Sequence, residues 1–190
     1  MKSITLIMAV ITSLSVTAEL VVEEDFESGI FPPPGWVTVA KTLGGGTPSG
    51  GWTLSEGIAH GSVMSSINTS WAILYTSPFY LNRGDIVKIT FGGRPSGFPP
   101  FVELAHDGVF EWSSPIEGSS SVFMTYVFKS PEISKASSDY RVGWEVDQYF
   151  PPYPGISYLS IDNVFISVAS PPTRSEVETS SLGRIKSTYK

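Results

Sequence analysis

The 190-residue sequence predicts an antiparallel β-sandwich, and three features carry that expectation. Past residue 19 no stretch keeps apolar residues at helical spacing, whereas many short runs are apolar, aromatic or alternating. Gly 18 and Pro 15 punctuate those runs, and aromatic residues reach 13%, which is rich for this length. Charged residues are only 16%, which excludes a coiled coil and a charge-driven disordered chain. Many short strands joined by loops of uneven length favour an antiparallel sandwich over a parallel sheet.

Residues 1–18 read as an export signal. Lys2 precedes an apolar run from Ile4 to Val16 that is too short to span a bilayer, and Val16-Thr17-Ala18 supplies small residues for cleavage before Glu19. No later stretch is long or apolar enough to cross a membrane as a helix, so the expectation is a secreted or cell-surface domain without a transmembrane span. Cys 0 removes disulfides, thiolate metal sites and Cys nucleophiles, and an exported chain without disulfides leans bacterial. Asn68-Thr69-Ser70 matches a glycosylation sequon, a tripeptide common by chance.

Strand-like runs then follow at Leu20–Phe26, Trp36–Val39, Trp52–Ala59, Trp71–Leu81, Ile86–Phe91, Phe101–His106, Val122–Phe128, Tyr140–Val146 and Tyr158–Val168. Alternation is clear in two of them. Lys88 and Thr90 share one side of the fifth run, and Arg141 and Glu145 point away from Trp144 in the eighth. Turn chemistry separates the runs at Asn82-Arg83-Gly84-Asp85, at Asp107-Gly108 and across 44–51. Arg83-Gly84-Asp85 spells an integrin-type tripeptide, but Asn, Gly and Asp are expected in a turn between strands. The domain is placed at 19–169. Beyond it Ser170-Pro171-Pro172-Thr173 breaks the strand pattern, and 170–190 reads as a flexible tail. The domain holds 7 Lys/Arg against 16 Asp/Glu, while the tail holds 4 against 2, so the tail is either a separate functional piece or a frayed end.

If successive strands alternate direction, the loops 27–35, 61–70, 92–100, 114–121 and 147–157 leave at one end. Three of them contain the same tripeptide, Phe31-Pro32-Pro33, Phe98-Pro99-Pro100 and Phe150-Pro151-Pro152. Together with Phe101, Tyr149 and Tyr153 they predict an aromatic rim. Phe98, Phe101, Tyr149, Phe150 and Tyr153 are then either a platform for sugar rings or peptide side chains, or an inward-folded cap on the sandwich.

An ordered set of motifs resembles a known family. Glu24-Asp25-Phe26-Glu27-Ser28-Gly29, Phe31-Pro32-Pro33-Pro34-Gly35-Trp36, Gly51-Trp52-Thr53-Leu54, Ala72-Ile73-Leu74-Tyr75-Thr76-Ser77-Pro78 and Tyr158-Leu159-Ser160-Ile161-Asp162-Asn163-Val164 follow one another over nearly all of 20–168. The pattern is similar to choice-of-anchor J domains and their relatives, the cleaved adhesin domains of gingipain-type bacterial proteases. The resemblance implies a jelly-roll β-sandwich, similar to galactose-binding-like and MAM domains, that is extracellular and non-catalytic. It also implies structural calcium in the region matched by Asp25, Glu27 and Asp162, hard oxygen ligands of the kind Ca²⁺ takes; the residues themselves equally fit solvated or capping carboxylates. The ending Ser181 to Lys190 resembles a short tail on some bacterial secreted proteins, where a Trp often stands at the position of Leu182. It points to sorting or anchoring machinery as a partner.

Other chemistry is thinly represented. A net charge of −6 argues against nucleic acid, whose phosphates require clustered Lys and Arg. His60 and His106 are too few and too far apart for His-based zinc or triad chemistry. Glu103, Asp107 and Glu111 surround one hairpin, so a glycosidase pair is conceivable, yet Glu103 and Glu111 equally suit outward solubilising charges. No nucleophile elbow, metalloprotease helix or phosphate loop occurs. The function expected is a non-catalytic module for adhesion or recognition, binding a glycan or a surface protein. The alternatives are a purely structural extracellular domain and a carbohydrate-active enzyme.

Overall fold

The computed structural model describes residues 18–43, 50–64, 69–118, 121–148 and 156–171. The unit Ala18–Ser170 is a jelly-roll β-sandwich. Among the described residues there are twelve strands and no helix: β1 Ala18–Glu24, β2 Val37–Thr42, β3 Gly50–Ser55, β4 Ile58–Met64, β5 Ser70–Tyr75, β6 Phe79–Leu81, β7 Ile86–Ser96, β8 Phe101–His106, β9 Val109–Pro115, β10 Met124–Lys129, β11 Ser137–Gln148 and β12 Ile156–Ala169. The first sheet runs β10-β7-β12-β4-β3 with β1 also on β12; the second runs β2-β5-β11-β8-β9 with β6 also on β11. Every pairing is antiparallel.

Two of the expected runs divide differently. Trp52–Ala59 holds a hairpin: Glu56 and Gly57 both take positive φ, 54° and 71°, the two-residue turn that suits the twist of paired strands. Trp71–Leu81 breaks at Thr76–Pro78, where Thr76 takes over the pairing with β11 by donating its N–H to Val142 O and accepting the Val142 N–H on Oγ1. The Asp107-Gly108 turn, with φ 50° and 73°, joins β8 to β9 as its composition suggests. The Arg83-Gly84-Asp85 tripeptide is structural. Asp85 is 2% exposed and its carboxylate accepts the Asn82 N–H, closing the turn.

Strand directions place the chain ends of β4, β7, β9 and β11 at one end of the sandwich, as the parity count expects for four of its five loops. The fifth, 27–35, does not join them. β1 pairs only with Val164–Ala169 of β12, and β4 occupies the other half of the same edge, opposite Ile156–Ile161. β1 and β2 therefore run the same way, and 25–36 leaves the first sheet part-way along β12. Phe31-Pro32-Pro33 is thus separate from the end where Phe98 lies.

That crossing segment fills the core. Phe26 and Trp36 are buried, and Trp36 stacks on Trp144 of β11 with centroids 5.8 Å apart and planes at 1°. Phe26 meets Trp36 edge-on at 5.7 Å, and Phe91 of β7 meets Trp144 edge-on at 5.7 Å. The chain of rings ties β7 to β11 across the two sheets, and each pair contributes roughly 0.5–1.5 kcal/mol beyond its buried area. Phe26 takes a positive φ of 58°, costly for a side chain with Cβ, and its N–H is held by Glu24 Oε1 at 2.7 Å.

Candidate functional site

Alternation along the strands decides what the second sheet shows to solvent. Ala72 and Leu74 of β5 and Val142, Trp144 and Val146 of β11 point inward into the core, as do Val102 and Leu104 of β8. Their neighbours point outward and fall into rows across the sheet. Tyr75, Gly143, Glu103 and Ser113 form one row; Val39, Ile73, Glu145 and Phe101 form the next; Lys41, Trp71 and Asp147 form the third. With Leu43, Thr69 and Phe110 these rows line an open cleft of about 630 Å³. Trp71, Tyr75, Phe101 and Phe110 supply aromatic surface within it, and Glu103, Glu145, Asp147 and Lys41 supply the charge.

Gly143 makes the floor of this cleft possible. A methyl group there would lie 2.7 Å from Tyr75 Cε1 and 2.8 Å from Glu103 Oε1, closer than side chains allow. Its two cross-strand partners therefore close over it, and Tyr75 hydrogen-bonds to Glu103, which also hydrogen-bonds to Glu145. Glu103 is 1% exposed, and among the described residues its Oε1 has no hydrogen-bond partner.

Two carboxyl groups in contact cannot both ionise at low cost in a partly dry cleft. Burial pushes Glu145 up to about 7, and the neighbouring Glu103 carboxylate adds to the effect. Burial also raises Glu103, against the opposing hydrogen bonds from Tyr75 and Glu145. Burial and the bond to Glu103 push the Tyr75 phenol above its ordinary value. The two glutamates therefore hold on to a proton at higher pH than isolated carboxyl groups do. The cleft thus offers apolar ring faces beside a polar floor able both to donate and to accept, which suits a ligand with flat apolar faces and many hydroxyls.

The expected site residues have different fates. Phe101 is in the cleft. Phe98 is 42% exposed on the link between β7 and β8, with its N–H donated to Ser157 Oγ at 3.2 Å, and does not line the cleft. Tyr149, Phe150 and Tyr153 lie outside the described residues, as do residues 1–17 of the export segment 1–18 and the tail from 172. Asp25 Oδ1 accepts the Glu27 N–H at 3.1 Å, and both Asp162 oxygens are engaged by Asn163, by its N–H at 2.7 Å and its side-chain amide at 2.6 Å. Among the described residues no three His, Asp or Glu side chains gather as a metal site, and Asp25, Glu27 and Asp162 do not converge as a set.

Glu103 is neither a solubilising charge nor a partner of Glu111. Glu111 sits elsewhere on β9, 3.2 Å from His106 Nε2, and accepts hydrogen bonds from the Ser134 N–H and the Tyr140 hydroxyl. The glutamate that Glu103 meets is Glu145, 42 residues further along the sequence. Trp71, Tyr75, Phe110, Glu145 and Asp147 went unassigned in the sequence. Their only local signal is alternation: Trp71, Ile73 and Tyr75 on one side of β5, and Gly143, Glu145 and Asp147 on one side of β11.

No protein-family model matches the chain, and no curated protein matches it. Solved structures do. A CBM4 structure superposes with a TM-score of 0.51 at 11% identity, covering 70% of this chain and 94% of that one. A carbohydrate-binding module of family 29 gives 0.51 at 14% identity, covering 80% and 90%. A cyclase from Fischerella sp. TAU gives 0.50 at 14% identity, covering 83% and 100%. At these identities the likeness is one of fold.

Proposed function

We propose that this chain is a non-catalytic carbohydrate-binding module whose ligand lies along the outer face of the second sheet. The observation that carries the reading is the cleft itself: Trp71, Tyr75, Phe101 and Phe110 around a floor of Glu103, Glu145 and Asp147. Sugar rings present apolar C–H faces that pack on aromatic rings, and their hydroxyls pair with carboxylates and phenols. The fold shared with carbohydrate-binding modules supports the same reading. Residues 1–18 would export the module to the cell surface or beyond, and the resemblance to choice-of-anchor J domains supports an adhesive role there.

Calorimetric titration of the full chain with a panel of neutral oligosaccharides tests this. At least one should bind, and Trp71→Ala should weaken it by about thirtyfold, the loss of one well-packed aromatic anchor. Silence across the panel ends the reading.

A catalytic reading draws on one observation, the proton that Glu145 keeps near pH 7, which is what a general acid requires. Glycoside hydrolysis fits poorly. Its carboxyl pairs stand about 5–9.5 Å apart, whereas Glu103 and Glu145 are hydrogen-bonded to each other. Prolonged incubation with the bound oligosaccharide should return it unaltered; product formation abolished by Glu145→Gln would establish catalysis instead.

A further inference from the structure

The outer face of the first sheet carries a second cleft, of about 550 Å³, with a different chemistry. One row crosses four strands as Thr53, His60, Ser160 and Arg94, and the next places Tyr158 between Ser62 and Ser96. Ser121, from the link between β9 and β10, completes the lining. No Asp or Glu contributes, although acids outnumber Lys and Arg 18 to 12 in the whole chain. The nearest acid along β12, Asp162, has both oxygens taken by Asn163.

The two cationic or potentially cationic groups are held in place. The Arg94 guanidinium lies over the Phe123 ring, 5.5 Å from its centroid, a cation–π contact that braces it, and among the described residues it forms no ion pair. His60 is fixed by its Nδ1 contact with Ser160 Oγ at 2.9 Å. Tyr158 is 43% exposed beside them. Hydroxyls from Thr53, Ser62, Ser96 and Ser121 supply neutral donors and acceptors around this centre.

We propose that this cleft binds an acidic sugar unit, with its anionic group on Arg94 and His60, its ring against Tyr158 and its hydroxyls among the serines. An acid-free cleft with a braced guanidinium in an otherwise acidic domain selects an anion, and a fork of parallel N–H donors matches a carboxylate or sulfate. The surrounding hydroxyls and the exposed ring favour an anion carried on a saccharide over a bare ion. The domain would then hold two glycan chemistries on opposite outer faces, an inference independent of what the aromatic cleft binds.

The test titrates the full chain at low salt with an oligogalacturonate and with a sulfated oligosaccharide, beside inorganic sulfate and a neutral oligosaccharide. The carboxylated or the sulfated oligosaccharide should bind, which identifies the anionic group, and the affinity should fall as salt is added. Arg94→Gln should weaken it by about tenfold or more, the loss of a charge-assisted contact. His60→Gln and Tyr158→Ala give independent readings should Arg94→Gln lower the melting temperature, and each should weaken the acidic oligosaccharide while leaving the neutral one unaffected. The proposal is overturned if neither acidic oligosaccharide binds, or if Arg94→Gln and His60→Gln leave binding unchanged. It is equally overturned if Trp71→Ala abolishes acidic-ligand binding, which moves the ligand to the other face, or if inorganic sulfate binds as tightly as the oligosaccharides.

Discussion

The two outer faces of the sandwich diverge where its two inner faces converge. Inward, both sheets offer the same material: Phe91, Ile89, Leu159 and Ile161 from one, Leu74, Leu104, Val142 and Trp144 from the other, all fully buried. Outward, the second sheet shows aromatic rings over paired glutamates, while the first shows serines, a histidine and an arginine. Packing constrains the inner residues alike, since any face of the core must be apolar and close-fitting. The outer residues are released from that demand, and they are where the molecule carries specific chemistry.

Substitutions on the two sides should therefore fail in different ways. Trp144→Ala removes the ring on which both Trp36 and Phe91 pack, and it should cost about 3–5 kcal/mol in chemical denaturation, enough to threaten folding. The comparison breaks if that variant keeps its stability. Gly143→Ala sits on the outer side of the same strand, one residue away. Its new methyl group collides with Tyr75 and Glu103, so it should cost about 1–3 kcal/mol and open the contact between those two side chains. Oligosaccharide binding in the aromatic cleft should fall with it, whereas binding to the first sheet's face should persist. Equal loss at both faces would mean that the substitution acts through global unfolding.

The inner side was readable in the sequence and the outer side was not, for a physical reason. Strand formation leaves a local trace, because apolar alternation and turns such as Asp107-Gly108 are written in consecutive residues. Nearly every strand-like run became a strand. The errors fell where a short break is masked by apolar neighbours, as at Thr76–Pro78, or where a turn lacks an Asn or Asp, as at Glu56-Gly57. The cleft has no such trace. Tyr75, Glu103 and Gly143 meet because β11 lies between β5 and β8, a strand order that no local pattern encodes. The parity count placed four strand ends correctly yet missed 27–35, because β1 and β4 share one edge of β12 end to end. Aromatic loops drew attention to Phe98, when the rings that line the cleft are mostly on strand faces.

A pH dependence sharpens the contrast between the faces. Glu145 has a folded-state value of about 7, above its ordinary 4.5, because burial and Glu103 penalise its charge. Between those two values the folded protein holds a proton that the unfolded chain has released, so stability should fall as pH rises from about 4.5 to about 7 and level off above. The loss should be roughly 1–2 kcal/mol once solvent screening of a partly exposed carboxyl is allowed for. Glu145→Gln keeps the hydrogen bond to Glu103 without the titration. Melting curves of this variant should show a shallower slope, Glu103 still titrating, and lie above those of the parent chain beyond pH 7. A parent slope unchanged by Glu145→Gln would place the titration elsewhere. Arg94→Gln, on the opposite face, should leave the slope as it is.

The smallest effect expected concerns the edge where β1 meets β12, between the two faces. Asp25 follows the last residue of β1, and Asp162 precedes the bulge at which β12 shifts register against β7. The resemblance to adhesin domains attaches structural calcium to Asp25, Glu27 and Asp162, but oxygens of Asp25 and Asp162 here accept local N–H groups and the three do not converge. Calcium binding would have to draw them together, and part of the binding energy would be spent on that movement. Mass action then limits the gain: at a concentration tenfold above the dissociation constant the native state is stabilised by about 1.4 kcal/mol, a rise of about 3–5 °C in melting temperature for a domain of this size. Differential scanning calorimetry in millimolar calcium and in chelator measures that shift, and Asp162→Ala should erase it. Superimposable traces would show that these carboxylates serve the backbone alone, Asp25 closing the turn after β1 and Asp162 holding the Asn163 N–H at a positive φ of 50°.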